Sequence, residues 1–198
     1  MNDILDGYQA AAPRLIESYD SLSCAEIYEA VIDLLPRTPV RAADIGAGTG
    51  RDAAWLTTLG HDMVAIEPVA ALREAGRALH PSERIAWIDD RLPTLTRVDG
   101  RFGLILLCAV WQHLHDKERS CAMRSLARIA EPGGLVILSL RSGPGAEGRR
   151  CIPVDLAVTL GEADAAGFDL VRRVETLSVQ QVNRDRGVTW TWLALRRR

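Results

Sequence analysis

The sequence has no hydrophobic run long enough to cross a bilayer: the longest, Leu104 to Trp111, falls far short of the roughly twenty residues that a spanning helix needs. Paired cysteines are missing too. Cys24, Cys108, Cys121 and Cys151 are scattered, with no C-x-x-C pair and no histidines at metal-ligand spacing, so neither a disulfide framework nor a metal site is expected. Basic clusters are equally scarce. With 24 Lys and Arg against 26 Asp and Glu the formal charge is -2, and the one basic run is Arg196-Arg197-Arg198. Such a balance leaves no broad footprint for nucleic acid, and three arginines carry little affinity alone. The acidic start, MNDILDGYQ, lacks the basic segment and apolar stretch of a secretion signal. These absences predict a cytoplasmic protein with free thiols and no membrane or nucleic-acid partner.

A chain of 198 residues with 47% hydrophobic content can bury a sizeable core as one domain. The expected division is a helical cap over 1–36 and a layered core over 37–198, in a monomer or homodimer. Helical spacing runs from Asp3 to Leu35 and stops at Pro36. Strand-helix units then repeat. Strands are expected at Val40 to Ile45, His61 to Ile66, Ile85 to Ile88, Leu104 to Ala109 and Leu135 to Leu140. Helices are expected at Arg51 to Leu59, Val69 to Leu79, Asp116 to Ala130 and Pro153 to Ala166. Pro132-Gly133-Gly134 reads as a turn, and Leu170 to Val182 with Val188 to Leu195 as a hairpin around Asn183 to Gly187. The pattern specifies an α/β three-layer sandwich, with a mainly parallel seven-stranded sheet ending in an antiparallel hairpin.

The most informative run is Asp44-Ile45-Gly46-Ala47-Gly48-Thr49-Gly50, between the first strand and its helix. Three glycines at alternate positions permit a sharp turn and a close ligand approach, and the helix that follows offers unpaired N-H groups. A dinucleotide fingerprint would need a third glycine at position 51, where Arg51 stands. A carboxylate at Asp44 also suits a cofactor with a cationic amine better than a pyrophosphate. In open α/β sheets ligands bind beyond the carboxyl ends of the strands, where Glu67, Asp89-Asp90 and Cys108 to Trp111 also fall.

Together these residues resemble the class I S-adenosylmethionine-dependent methyltransferases, over about Val40 to Leu140, with the helical N-terminus and terminal hairpin similar to the small-molecule branch. The carriers are Asp44 to Gly50, Glu67, Asp89-Asp90-Arg91-Leu92-Pro93, Leu104 to His113 and Pro132-Gly133-Gly134. The resemblance implies a Rossmann-like core that binds S-adenosyl-L-methionine and methylates an O, N or C atom of a small molecule. It implies that Gly46, Ala47, Gly48 and Gly50 floor the cofactor and that Asp44 supports its ammonium. Glu67 would hold the ribose, Pro68 would lie against the adenine, Asp89 or Asp90 would meet its amine, and Cys108 would lend a backbone carbonyl. A non-catalytic binder or sensor of the same cofactor is the alternative, ahead of a nicotinamide-dependent oxidoreductase.

Methyl transfer depends on holding the acceptor in line, so no acid or base is obligatory. By position, Trp111-Gln112-His113-Leu114-His115 borders the acceptor. His113 is the candidate catalytic base or, equally, a loop anchor. Trp111 is a pocket wall or core. In the glycine-rich basic stretch Arg141 to Arg150, Arg141 and Arg149 could grip an acidic acceptor through bidentate guanidinium contacts, or simply be solvated. Tyr8, Arg14 and Tyr19 could cap the cofactor, which helix packing explains as well.

Overall fold

The computed structural model describes residues 2–198. Seven strands form one sheet in the order β3-β2-β1-β4-β5-β7-β6. They are β1 (Arg41–Ile45), β2 (Asp62–Ile66), β3 (Ile85–Ile88), β4 (Phe102–Leu107), β5 (Ala130–Ser142), β6 (Phe168–Leu177) and β7 (Thr189–Arg197). The first five are mutually parallel, and β7 pairs antiparallel with both β5 and β6. Strand order reverses at β1 and β4, so a crevice opens at their carboxyl ends.

Helices α3 (Arg51–Thr58), α4 (Ala70–Leu79), α5 (Asp116–Ile129) and α6 (Leu156–Ala165) connect the strands. Both faces of the sheet are covered: Ile105, Leu107 and Val136 pack in one apolar cluster, Leu104, Leu106 and Ile137 in the other. This explains the uninterrupted apolar β4. Ahead of the sheet lie α1 (Asn2–Asp20) and α2 (Cys24–Ile27). The predicted N-terminal helical segment is broken at Ser23, whose side chain accepts a hydrogen bond from the Glu26 amide and starts α2. Ala11, Ala12 and Leu15 dock α1 on Val69 and Leu72.

Several expected boundaries move for visible reasons. The strand expected to reach Ala109 stops at Leu107, and Ala109 adopts a left-handed φ of 60°. Pro132-Gly133-Gly134 lies inside β5, where pairing with β4 jumps from Phe102↔Ala130 to Leu104↔Leu135. The helix expected from Pro153 starts at Leu156, because the Asp155 carboxylate caps it by accepting from the Val158 amide. Instead of a tight turn, the terminal hairpin carries the short helix α7 (Gln181–Asp185).

Candidate active site

A cavity of about 660 Å³ occupies the crevice. Its floor is Gly46 to Thr49, with Glu67 to Val69, Arg91-Leu92 and Cys108 to Val110 supplied by the ends of the neighbouring strands. Tyr8 and Tyr19 of α1 line it from outside the sheet, and Thr176 to Gln180, Trp190 and Trp192 wall it at the hairpin.

The glycine loop is held by backbone bonds, with the Gly46 and Ala47 amides donating to the Ile66 carbonyl at 2.8 and 3.1 Å. Gly48 has φ 57°, and a Cβ there would point into the gap between the loop and the Tyr19 ring, 3.5 Å away. A side chain would fill the space that a ligand needs. Gly50 serves differently. Its Cβ would lie 2.6 Å from the Trp87 indole, and it is not on the cavity wall, so this predicted cofactor residue packs α3 against β3 instead.

Glu67 is buried beside the loop. Its Oε2 accepts from the Gly48 amide and its Oε1 from the Val69 amide, both at 2.8 Å. Burial pushes its carboxyl up to about 7, against the pull of those two backbone donors and Arg73. Each oxygen retains a lone pair for a ribose hydroxyl. Pro68 lines the cavity beside it.

Asp44, at the end of β1, is buried with Oδ2 unpartnered, and it lies next to the glycine floor without itself lining the cavity. Burial, then the neighbouring Asp52, holds its carboxyl well above the usual range, while Arg51 draws it down. Asp52 is already satisfied: Tyr28 donates to it at 2.6 Å, the Cys24 thiol at 3.4 Å and Arg51 Nε at 2.7 Å. An orphaned buried carboxyl near the glycine floor ionises readily only beside a cation. The ammonium of S-adenosylmethionine fits that demand, as its ribose fits Glu67. Thr49, absent from the sequence-based assignment, puts an unpartnered buried hydroxyl on the cavity wall.

Cys108 lines the cavity, and burial pushes its thiol up to about 12, so it is an inert wall rather than a nucleophile. The backbone beyond it is pinned, with the Ala109 amide donating to Ser139 Oγ at 2.8 Å and Gln112 Nε2 to the Ala109 carbonyl at 2.5 Å. His113 also faces the cavity. Its Nε2 lies 2.8 Å from the Tyr8 hydroxyl and its Nδ1 2.9 Å from the Arg150 carbonyl.

Other candidates go elsewhere. Asp90 gives its two oxygens to the amides of Arg91 and Arg97, at 2.7 and 2.6 Å. Asp89 is exposed and lies 3.5 Å from Arg73 and 3.9 Å from Arg97. Neither lines the cavity, where Arg91 and Leu92 stand in that position. Trp111 is fully buried in the core. The Arg141 guanidinium donates to the Pro144 carbonyl at 2.9 Å and to Asn183 Oδ1 at 3.3 Å, and lies over the Trp190 ring. Arg149 sits 5.3 Å from the Tyr8 ring centre. Neither arginine is on the cavity wall. Tyr8 and Tyr19 reach the cavity; Arg14 does not.

The sheet order and the strand-end cavity define a Rossmann-like fold of the class I methyltransferase type. The likeness extends to solved structures. The 1,6-didemethyltoxoflavin-N1-methyltransferase of Burkholderia thailandensis, solved with bound 1,6-didemethyltoxoflavin and S-adenosylhomocysteine, superposes with a TM-score of 0.78 over 99% of this chain and 88% of that one, at 19% identity. Residues 43–138 match the family model described as a methyltransferase domain. Residues 43–138 thus match a methyltransferase domain in sequence, and the fold is that of the solved methyltransferases. Among curated relatives, an uncharacterized methyltransferase of Oceanobacillus iheyensis is 28% identical over 138 residues, 69% of this chain and 59% of the relative. The norajmaline N-methyltransferase of Rauvolfia serpentina is 32% identical over 142 residues, 68% of this chain and 46% of the relative. The chain thus spans about half the length of these curated relatives.

Proposed function

We propose that this protein transfers a methyl group from S-adenosyl-L-methionine to an oxygen, nitrogen or carbon atom of a small molecule. The observation that carries this reading is the shape of the cavity. It runs from the glycine floor and Glu67, past Cys108 to Val110, to the wall of Trp190 and Trp192, leaving room for an acceptor beyond the cofactor. That continuity favours transfer over a binder closed on its acceptor side.

When bound, S-adenosylmethionine supplies a methyl group on a sulfonium, activated for direct attack. The protein's part is placement, which can contribute roughly 7 to 11 kcal/mol to such a reaction. Glu67 would receive the ribose hydroxyls, and the orphaned Asp44 carboxyl beside the glycine floor would favour the ammonium by its charge. Thr49 would donate to the methionine end. Pro68, Val69 and Leu92 would form the apolar bed for the adenine. Tyr8 and His113 both line the cavity and are hydrogen-bonded to each other, so a proton leaving an acceptor would pass through the Tyr8 hydroxyl to His113 Nε2. The imidazolium so formed keeps its Nδ1-H on the Arg150 carbonyl.

The near-neutral composition, the four free cysteines and the lack, among the described residues, of a helix long and apolar enough to cross a membrane support a cytoplasmic enzyme. We place it as a monomer or homodimer acting on metabolites rather than on nucleic acid. A screen of metabolites with methyl-labelled cofactor, read by mass spectrometry, tests transfer. Label should appear in at least one small-molecule product, and its absence across a library that includes oxygen, nitrogen and carbon acceptors would count against the reading.

A further inference from the structure

Resting on the methyltransferase reading, we propose that the acceptor is a flat, apolar molecule carrying a basic nitrogen, and that this site rejects carboxylates and phosphates. Beyond Cys108 the cavity passes from the cofactor residues to a wall of Trp190, Trp192, Leu177 and Val179. Trp192 is fixed by the Tyr28 ring, 5.1 Å away at a tilt of 52°, so this wall is rigid and aromatic. Indole faces are electron-rich and favour cations over anions. A planar apolar ring gains most against such a wall, by burial and by offset stacking.

Charge points the same way. The α2 segment that holds Tyr28 also places Glu26 and Glu29 on the cavity wall. Both are exposed at its mouth. Among the described residues, the cationic side chains on the wall are Arg51 and Arg91. Arg51 is paired with Asp52, its NH2 2.6 Å from Oδ1, and Arg91 stands next to Leu92, at the adenine bed. No free cation therefore faces the acceptor end. The two arginines that would have gripped an acidic acceptor are spent: Arg141 on Pro144, Asn183 and the outer side of the Trp190 ring, off the cavity wall, and Arg149 over the Tyr8 ring. An anion entering here meets two carboxylates and aromatic faces. A cation meets favourable charge in both places.

The test uses matched probes that share one ring and differ in charge: tryptamine, indole-3-ethanol and indole-3-acetate. Each is titrated by calorimetry into the full-length protein saturated with S-adenosylhomocysteine. Tryptamine should bind at least about fivefold more tightly than indole-3-acetate, since partly exposed charge pairs contribute modestly, with the neutral alcohol between them. In the double variant Glu26→Gln and Glu29→Gln, at exposed positions that carry no core packing, that gap should shrink to about twofold or less. Trp190→Leu should weaken all three probes together. Equal or tighter binding of indole-3-acetate, no binding of any probe at millimolar concentration, or an unchanged gap in the double variant overturns the proposal. Failure of S-adenosylhomocysteine itself to bind, measured in the same protein, strikes the cofactor reading instead.

Discussion

The Tyr8 hydroxyl and His113 Nε2 are 2.8 Å apart, joining α1 to the turn after β4 at the cavity wall. With Nδ1 facing the Arg150 carbonyl at 2.9 Å, the bonding pattern assigns the Nδ1-H tautomer, so that Nε2 accepts from Tyr8. Burial, with Arg149 and Arg141 adding to it, keeps this imidazole below its ordinary range. It is neutral at pH 7, with Nε2 free to accept a proton but a weaker base than an exposed imidazole.

Removing that donor should therefore change two quantities at once. Tyr8→Phe takes away a bond made to the neutral imidazole, so the His113 pKa should rise in an NMR titration. If the proton passes through Tyr8, kcat should also fall by roughly tenfold or more. A raised pKa with unchanged kcat would leave the pair as a structural link only.

Two glycines of one loop should fail in different ways. Gly48→Ala puts a Cβ into the ligand space, and S-adenosylhomocysteine affinity should drop at least about tenfold in calorimetry. Gly50→Ala combines a φ of 75° with a 2.6 Å approach to Trp87. It should cost roughly 2 kcal/mol or more in chemical denaturation. Equal effects of both variants on affinity would mean that Gly50 also touches the cofactor.

Glu67 sets the sign of the pH dependence. Its raised value, about 7, means that the folded protein holds this proton where the unfolded chain has released it. This contribution to stability is full below about pH 4.5 and is lost as pH climbs through 7. Ribose hydroxyls donate best to the ionised form, so S-adenosylhomocysteine should bind more tightly from pH 6 to pH 8, with proton release visible as a buffer-dependent heat. Arg73 and Asp89 face the same carboxyl and pull in opposite directions, with Asp44 nearby. Glu67→Gln should therefore flatten most of the slope, leaving the part due to Asp44.

Arg141 is a fastener for the loop after β5, because its guanidinium bonds both the Pro144 carbonyl and Asn183 of α7. Arg141→Ala should accelerate proteolysis between residues 143 and 150 while changing the cofactor Kd less than about twofold. A large selective loss of affinity for an acidic acceptor would restore the binding role that the sequence offered.

The ends of β1, β2 and β3 were legible because each is a short apolar run closed by glycine or an acid, and all three fall within one residue of expectation, whereas β4 runs on into Cys108 and Ala109 with no such stop. Glu67 could be placed for the same reason. Asp89 and Asp90 could not be told apart, since Asp90 is claimed by the Arg97 amide seven residues away, a bond that depends on the path of a loop without periodicity. The acceptor wall was hidden differently. Trp190 and Trp192 alternate along β7 and so share a face, but only the pairing of Trp192 with Ser139, whose Oγ holds the Ala109 amide, turns that face toward the crevice. Tyr8 and Tyr19 remained open between packing and capping because both belong to an amphipathic helix, whose docking on Val69 and Leu72 is tertiary.

Calorimetry with S-adenosylhomocysteine, NAD and NADP on one preparation tests the cofactor assignment most directly. The orphaned Asp44 carboxylate, the Gly48 opening and Glu67 together predict one-to-one binding of S-adenosylhomocysteine, weakened by Asp44→Asn and by Glu67→Gln, with no measurable heat from either dinucleotide. Binding of NAD or NADP without S-adenosylhomocysteine would contradict it.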